Sequence, residues 1–375
     1  MAIKAAILRV LLLSSRNVTC YFHPVMPLTA ARSSKQGIRA VAAQAGVSIA
    51  SVSRALNNPV SVSPQLRARI AEAVERVGYI PHAPARELSS RRSFTLGAII
   101  PTIDNTMFAR GIASLQKYLS SVGYMLFLTT NGYDLEVELQ QARNLISRGV
   151  DGLVLRGDCH HEALRKMLAD CAIPFVNVGV YRPDRPYPCV GADNEGAAHR
   201  AAMHLIELGH RKIGIVSALR RNNDRAGARV AGFHRAFTEN GVPIRSDWHV
   251  EVPYTLDDAR EAARHLLSLR ERPTAVVCGN DVIAYGVLLE AGRSGFSVPR
   301  DLSVVGFDDL DWSRHLRPSL TTIQVPTGAT WQRAGEYLVR RLAGEQTVMH
   351  HEVDYSLIVR ESTAPPTRLS NNRGK

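Results

Sequence analysis

Residues 38–56, IRAVAAQAGVSIASVSRAL, contain the pattern that decides the fold of the N-terminal part of the chain. Apolar residues recur at helical spacing up to Ala45, and Gly46 supplies the permissive backbone with which a helix can end. Ser48 is then placed to cap a second helix. Two short helices joined by a tight turn are typical of a DNA-binding helix-turn-helix, although a simple helical hairpin would show the same pattern.

A third helix is predicted directly after this pair. Ser63 and Pro64 form an N-cap and first-turn pair, and an apolar face continues from there to Gly78. Residues 35–93 carry nine Lys or Arg side chains against three Glu, a net charge of +6. A solvated basic face would explain this charge, but half of the chain's formal +12 in so short a segment fits a phosphate-contacting module better.

Beyond residue 95, short apolar runs alternate with amphipathic stretches. This alternation predicts parallel sheets with helices on both faces. About 280 residues of it favour two lobes, with a ligand in the cleft at the strand ends. The strands are predicted at LGAIIP, YMLFLTT, DGLVL, IPFVNVG, KIGIV, TAVVCG and LSVVGF, and the helices near residues 109–122, 134–148, 194–208, 226–240, 256–269 and 281–294.

The amino-acid composition limits the classes of protein to which this chain can belong. The sequence pI of about 9.8 suggests an acidic polymer as partner. The five cysteines are odd in number and form no CxxC pair, so we expect neither a disulfide framework nor a zinc site, and a reducing cytoplasm. No run approaches the roughly 18 apolar residues of a membrane span.

Several residues could in principle serve an enzymatic function. Asp308, Asp309 and Asp311 could serve acid–base or metal chemistry, and Ser114 with Lys117 matches an SxxK fragment. The sequence contains no P-loop, GxGxxG, GxSxG or HExxH motif, so we interpret these as loop acids and chance spacing. The histidine pairs lack ligand spacing for a metal sensor. We expect a protein without enzymatic activity, cofactor or metal.

The segment GIRAVAAQAGVSIASVSRALNN, followed by YIPHAPARELSS, resembles the lactose-repressor/galactose-repressor (LacI/GalR) family of bacterial regulators. The similarity continues in order through VGADNEGAAHRAAMHLIELGHRKIGIV, RVAGFHRAF, TAVVCGNDVIAYG and VPRDLSVVGFDDLDW, and covers roughly residues 37–345. The resemblance implies a small all-α helix-turn-helix headpiece with a hinge helix. An α/β two-lobed, periplasmic-binding-protein-like effector domain with parallel sheets would follow it.

Pattern and resemblance together suggest the domain boundaries. We expect translation to start at Met26, so that residues 1–25 are either not part of the protein or a disordered extension, and we expect the C-terminal tail to be disordered. The expected segments are an extension over 1–36, the headpiece over 37–80, the hinge helix and linker over 81–94, the two-lobed effector-binding and dimerisation domain over 95–362, and a tail over 363–375. The expected lobes are about 95–205 with 324–345, and about 206–323 with 346–362.

The DNA-contacting residues are implied by the resemblance. Ile49, Ala50 and Arg54 would face the major groove, with Arg54 able to make a bidentate contact to guanine. Ser48, Ser51, Ser53 and Asn57 would hold phosphates, whereas Ala85, Arg86 and Leu88 would form a hinge that folds on the operator, with Leu88 as a minor-groove wedge. Gly37 and Ala40 depart from the family's favoured Thr or Ser cap and Asp, which should weaken the start of the first helix by about 1 kcal/mol.

The resemblance also implies an effector site. Acid, amide and guanidinium groups in an apolar cleft suit a hydroxyl-rich ligand, because each buried hydroxyl needs a partner. Asn105-Thr106-Met107-Phe108 replaces the common Asn-Pro-Phe-Phe and lacks one aromatic residue, which leaves the ligand's identity open. The predicted effector-binding residues are Asn105, Phe108, Asp193, Arg229, Asn280 and Asp308.

These features together predict a ligand-responsive transcriptional regulator. The resemblance implies a repressor that binds a palindromic DNA operator as a cytoplasmic, nucleoid-associated homodimer, with a sugar or related metabolite in the interlobe cleft. The chain shows no convincing C-terminal leucine heptad, although a tetramer remains open. A periplasmic-type solute-binding protein without a regulatory role is the alternative, but residues 37–92 add a DNA-binding module that such a protein lacks.

Overall fold

The computed structural model describes residues 37–57, 61–79 and 92–367, and the chain divides into two compact units near residue 86. The N-terminal extension with Met26 lies outside the described residues. So does the predicted hinge up to residue 91, with Ala85, Arg86 and Leu88. Within the described ranges, no helix is long and apolar enough to cross a membrane.

The first unit is the predicted three-helix headpiece. Its small core forms where Val41, Val52 and Ile70 pack together. Gly46 ends the first helix in a left-handed conformation with a φ of 62°, and Ser63 caps the third helix by accepting a hydrogen bond from the Leu66 amide at 3.3 Å. The predicted turn and caps are confirmed. The helices are α1 (Ile38–Ala45), α2 (Ile49–Asn57) and α3 (Pro64–Val77).

The first lobe of the second unit is a six-stranded sheet with helices on both faces. Its strand order is β11-β5-β4-β3-β1-β2, and all the pairings are parallel. Its strands are β1 (Thr95–Ile100), β2 (Met125–Thr130), β3 (Gly152–Arg156), β4 (Phe175–Val178), β5 (Cys189–Gly191) and β11 (His350–Glu352). Its helices are α4 (Thr106–Ser121), α5 (Leu135–Ser147), α6 (Glu162–Asp170) and α11 (Thr327–Leu342).

The second lobe repeats this architecture with the order β12-β10-β9-β8-β6-β7, in which only β12 is antiparallel. Its strands are β6 (Ile213–Ala218), β7 (His249–Val252), β8 (Ala275–Cys278), β9 (Ser303–Phe307), β10 (Thr321–Gln324) and β12 (Ser356–Ile358). Its helices are α7 (Asn194–Glu207), α8 (Asp224–Glu239), α9 (Leu256–Ser268) and α10 (Asp281–Arg293).

Helices on both faces explain why the central strands consist of continuous apolar runs rather than alternating ones. Strand β1, TLGAII, is buried at all six positions because α4 and α11 cover one face while α5 and α6 cover the other. In the second lobe, α7 and α8 pack on one face and α9 and α10 on the other. The predicted α/β fold class is confirmed.

The lobe boundaries differ from those expected. The chain crosses between the lobes near residues 192–193, 325–326 and 353–355, because α7 packs against α8 in the second lobe and β11 pairs with β5 in the first. The start of the expected disordered tail is also ordered. The Ala364 carbonyl accepts a hydrogen bond from His210 Nε2 at 2.9 Å and so ties this segment to the second lobe.

Candidate DNA-contacting helix and effector cavity

One face of α2 is exposed. Ile49 is 44% exposed, and Ala50 and Arg54 are exposed beside it, whereas Val52 and Ala55 point into the core. This separation follows from the helical period, which places residues 49, 50 and 54 away from the buried stripe. Arg54 Nε donates to the Ala50 carbonyl at 3.4 Å, so its guanidinium lies along the exposed face.

The serines of this region support the start of α2. Ser48 Oγ accepts a hydrogen bond from the Ser51 amide at 3.1 Å, which confirms the predicted cap, and its hydroxyl lies 2.9 Å from that of Ser51. Ser51 and Ser53 are half-buried. Asn57 is the last residue of α2, and its side chain lies outside the described structure. The DNA contacts of these residues stay predictions.

A polar cavity lies between the two lobes. It encloses about 30 Å³, room for about one or two water molecules. The carboxyl ends of strands from both sheets meet there, as expected for ligand sites in α/β folds. The cavity is lined by Met107, Arg156, Gly179, Ala192, Asn194, Arg229, Asp308, Val325, Thr327, Thr330 and Trp331.

Arg229 lies at the centre of this site. Its Nε donates to Asn194 Oδ1 at 3.1 Å, and its terminal nitrogens donate to the Gly279 carbonyl at 2.6 Å and to Asp308 Oδ1 at 3.4 Å. The guanidinium also stacks 3.6 Å from the centre of the Phe307 ring. Four fixed contacts hold the side chain in one orientation, so it can present its charge to a ligand without first being ordered.

Asp308 follows β9 and is buried. Burial raises the pKa of its carboxyl, while the positive charge of Arg229 opposes that rise. Its backbone has a φ of 104°, a conformation that costs energy for a residue with a side chain. Asp308 Oδ2 has no hydrogen-bond partner among the described residues. A buried acceptor without a partner is a natural contact for a ligand hydroxyl.

Arg156 ends β3 on the opposite side of the cavity. Its Nη1 donates to the Val178 carbonyl at 2.9 Å, and its guanidinium lies 5.6 Å from the centre of the Phe108 ring. Burial, followed by the charge of Arg225, lowers its pKa to about 9, so the side chain stays cationic at pH 7.

Direct contacts also join the two lobes. The Asp158 amide donates to Asp224 Oδ2 at 2.8 Å, Asn222 Nδ2 donates to the Tyr133 carbonyl at 2.9 Å, and Arg110 pairs with Asp311 at 2.7 Å. Because about 30 Å³ is far less than the 300–1,000 Å³ of typical ligand sites, an effector can enter only if the lobes separate.

Two regions of the chain match known domain families. Residues 37–82 match the family described as bacterial regulatory proteins, lacI family, and residues 202–363 match the periplasmic binding protein-like domain. Catabolite control protein A of Priestia megaterium is 35% identical over 286 residues, which span 76% of this chain and 86% of that protein. This chain belongs to the lacI family of bacterial regulatory proteins.

Two further similarities fit this membership. The HTH-type transcriptional repressor PurR of Aliivibrio salmonicida is 32% identical over 319 residues, spanning 84% of this chain and 93% of PurR. The solved complex of the transcriptional regulator CelR with cellobiose has a TM-score of 0.65 at 28% identity, and covers 87% of this chain and 99% of that chain. These relatives are transcription regulators rather than enzymes. The lacI-family chain described here is accordingly an effector-responsive DNA-binding transcriptional regulator.

The six predicted effector residues of this lacI-family regulator do not all line the cavity. Arg229 and Asp308 do. Asn105 and Asn280 cap helices by accepting hydrogen bonds from the amides of Met107 and Ile283, and each keeps a buried Nδ2 without a partner among the described residues. Phe108 lies in the core beneath Arg156, and Asp193 caps α7 through the Glu195 amide.

The structure also brings residues to the cavity that the sequence analysis missed. Arg156 ends a buried strand, a position typical of ligand sites in α/β folds, and could have been found by that signal. Asn194 is the immediate neighbour of the predicted Asp193. Thr330 and Trp331 carry no local signal, because α11 reaches the cavity only through the crossing of the chain back to the first lobe.

Proposed function

We propose that this regulator represses transcription by binding a near-palindromic operator as a homodimer in the bacterial cytoplasm, at the nucleoid. A small hydroxyl-bearing metabolite in the cavity between the lobes controls that binding. The observation that carries the effector proposal is the Arg229–Asp308 pair, a fixed guanidinium beside a buried carboxylate oxygen without a partner. A polyol or sugar derivative presents hydroxyls that can donate to this oxygen.

An exposed apolar face on the second lobe supports the homodimer. Helix α10 buries Ile283, Ala284 and Val287. Its opposite side carries Leu289, which is 54% exposed, and Val282, which is half-buried against the apolar cluster that contains Leu310. A helix that is apolar on both sides normally packs against a second surface. A groove lies along this side of the helix. We define the α10 face as the apolar and aromatic residues that line it: Tyr254, Leu256, Val282, Tyr285, Leu288, Leu289, Leu310, Trp312, Leu316 and Pro318.

The first lobe offers a second apolar surface. Strand β2 forms the edge of its sheet, and Met125, Phe127 and Leu128 are exposed along it. Exposed apolar edge strands are normally covered, because their free backbone groups recruit another chain. In the proposed homodimer, a second copy of this chain covers both β2 and the α10 face.

The proposed control is a coupling between the cavity and the operator. The closed lobes are joined by contacts such as Asp158–Asp224 and Asn222–Tyr133, which must break when an effector enters. An effector therefore shifts the balance between closed and open lobes, and the positions of the two subunits shift with it. The paired headpieces then fit the operator in one state better than in the other.

Selection from a random duplex library tests the DNA-binding part. The full chain should enrich a near-palindromic sequence, because two identical headpieces contact two half-sites. Failure to enrich any sequence would favour the alternative of a solute-binding protein without a regulatory role.

A thermal-shift screen of sugars and sugar acids with Asp308→Asn tests the effector part. A compound bound in the cavity should stabilise the full chain by mass action and change its affinity for the selected duplex. Asp308→Asn should weaken that response by tenfold or more in ligand concentration, as expected for about 1.5–3 kcal/mol lost with a charged partner. The substitution should leave the ligand-free affinity for the duplex unchanged. An unchanged ligand response would place the effector outside this cavity.

A further inference from the structure

The charged side chains that line the interlobe cavity do not balance. They are Arg156, Arg229 and Asp308, two cations and one carboxylate. The carboxylate already pairs with Arg229 through Oδ1. Among the described residues, no carboxylate lies within 4.0 Å of the Arg156 nitrogens, so Arg156 has no ion-pair partner there.

The guanidinium of Arg156 also makes few hydrogen bonds to the described residues. An arginine carries five N–H donors, but the contacts here are one carbonyl, that of Val178 at 2.9 Å, and the weakly accepting sulfur of Met107 at 4.0 Å. Arg156 Nε is buried without a hydrogen-bond partner in the described structure. Each terminal nitrogen therefore keeps a donor that these contacts do not use, on a side chain that lines the cavity.

The fold makes room for this guanidinium. Gly179 follows β4 with a φ of 83°, and a Cβ at this position would overlap Arg156 Nη1. An aliphatic side chain at position 156 could pack against Met107 and Phe108 without the cost of removing a charge from water. A cation held there without a carboxylate therefore points to a function in binding rather than in packing.

We propose that the effector of this regulator is an anionic polyhydroxylated compound, a sugar acid or a sugar phosphate, and that Arg156 binds its carboxylate or phosphate. The planar fork of arginine matches both groups through paired N–H donors. Asp308 Oδ2, on the other side of the cavity, accepts a hydrogen bond from a hydroxyl of the same ligand. This inference rests on the proposed function, since it assigns the chemical class of the ligand in that same cavity.

The test compares the thermal unfolding of the full chain and three variants in sodium phosphate, in sodium acetate and in sodium chloride of equal ionic strength. Phosphate or acetate should raise the Tm of wild-type protein more than that of Arg156→Met, whose apparent affinity for the anion should fall by about tenfold or more. Arg156→Lys should keep part of the response. Arg200→Met is the control, because Arg200 pairs with Glu207 on the surface and should respond like wild type. General salting effects act on all four proteins alike.

Each outcome bears on the proposal. Without added anion, the Tm of Arg156→Met should equal or exceed that of wild type, since an uncompensated cation is removed. A lower Tm would assign Arg156 a structural role and overturn the proposal, as would an equal anion response, or none, in wild type and Arg156→Met. A larger response to phosphate than to acetate would indicate a ligand phosphate, and the reverse would indicate a ligand carboxylate. If cellobiose stabilises wild type and Arg156→Met equally, the cavity function stands and only the anionic class is wrong.

Discussion

Arginine serves different functions at different positions in this chain, according to what surrounds it. Arg54 is exposed on α2, and among the described residues it has only a 3.4 Å contact to a backbone carbonyl, which leaves donors of its guanidinium for another molecule. Arg229 is buried and fixed by four contacts, including Asp308. Arg156 lies between these cases, with its charge unpaired among the described residues at a cavity wall. Burial and available partners, rather than residue type, set each role.

At the residue scale, Arg54→Ala should weaken binding to the selected operator by about 1–3 kcal/mol and relax base preference at one position of each half-site. The physical reason is that the substitution removes a bidentate contact to a base edge in addition to the general attraction between a positive charge and the phosphates. Anisotropy titrations with the selected duplex and a scrambled duplex, at one salt concentration, measure the two losses.

The control for Arg54 is Arg76→Ala. Arg76 is an exposed arginine of the same headpiece that pairs with Glu72 along α3. Its loss removes the same charge, and should weaken binding to both duplexes equally and modestly. If Arg54→Ala also affects both duplexes equally, Arg54 is a phosphate contact and its assigned base contact is wrong.

At the element scale, helix α10 links the cavity region to the proposed dimer face. Its cap Asn280 follows Gly279, whose carbonyl holds Arg229, and its outer side carries the α10 face. Its first residue, Asp281, is fully buried and accepts hydrogen bonds from the Leu310 amide at 2.7 Å and from the hydroxyls of Ser313 and Thr322. Asp281 thus joins α10 to the segment that follows Asp308.

The protonation of Asp281 should make stability depend on pH. Burial raises the pKa of its carboxyl from 3.8 to about 7. The folded state then binds more protons than the unfolded state between these values, so this contribution to the free energy of unfolding falls as pH rises from about 4 to 7. Asp281→Asn cannot titrate. The difference in unfolding free energy between wild type and Asp281→Asn should therefore decline across this window, by on the order of 2–4 kcal/mol.

Urea unfolding of both proteins at a series of pH values measures this difference. The slope is the readout, because the amide also disturbs the three donors that surround Asp281 and so changes the absolute stability. Parallel pH profiles for the two proteins would show that Asp281 is already ionised throughout and that its three hydrogen bonds outweigh its burial.

At the scale of the whole molecule, two similar lobes close on a cavity whose polar groups come from both. Asn194, Arg229 and Asp308 belong to the second lobe, and Arg156 to the first. Three crossings of the chain join the lobes, which allows them to move as bodies about short connecting segments. Movement of one lobe can shift a second copy of the chain only if the α10 face and strand β2 hold the two copies together.

Leu289→Asp tests this association. A carboxylate in the middle of the α10 face should weaken homodimerisation by about 30-fold or more, because it must be desolvated against an apolar surface. Sedimentation of the full chain over a range of concentrations measures the change, and affinity for the palindromic duplex should fall with it.

Ile244→Asp is the matched control. Ile244 is similarly exposed, at 49%, but lies outside the α10 face. It should sediment like wild type. If Leu289→Asp also keeps the wild-type association state, the α10 face takes no part in the pairing, and only the edge strand β2 remains of the proposed interface.

Local sequence patterns were enough to predict the helix-turn-helix, the caps at Ser48 and Ser63, and the alternation of buried strands with helices. These depend on residues a few positions apart, where helical period and turn chemistry act directly. The resemblance also led to Arg229 and Asp308. Only the tertiary structure placed Arg156 and Thr330 at the same cavity and assigned α7 to the second lobe. Strand order and chain crossings join segments more than a hundred residues apart, and no local pattern encodes which strand ends will meet.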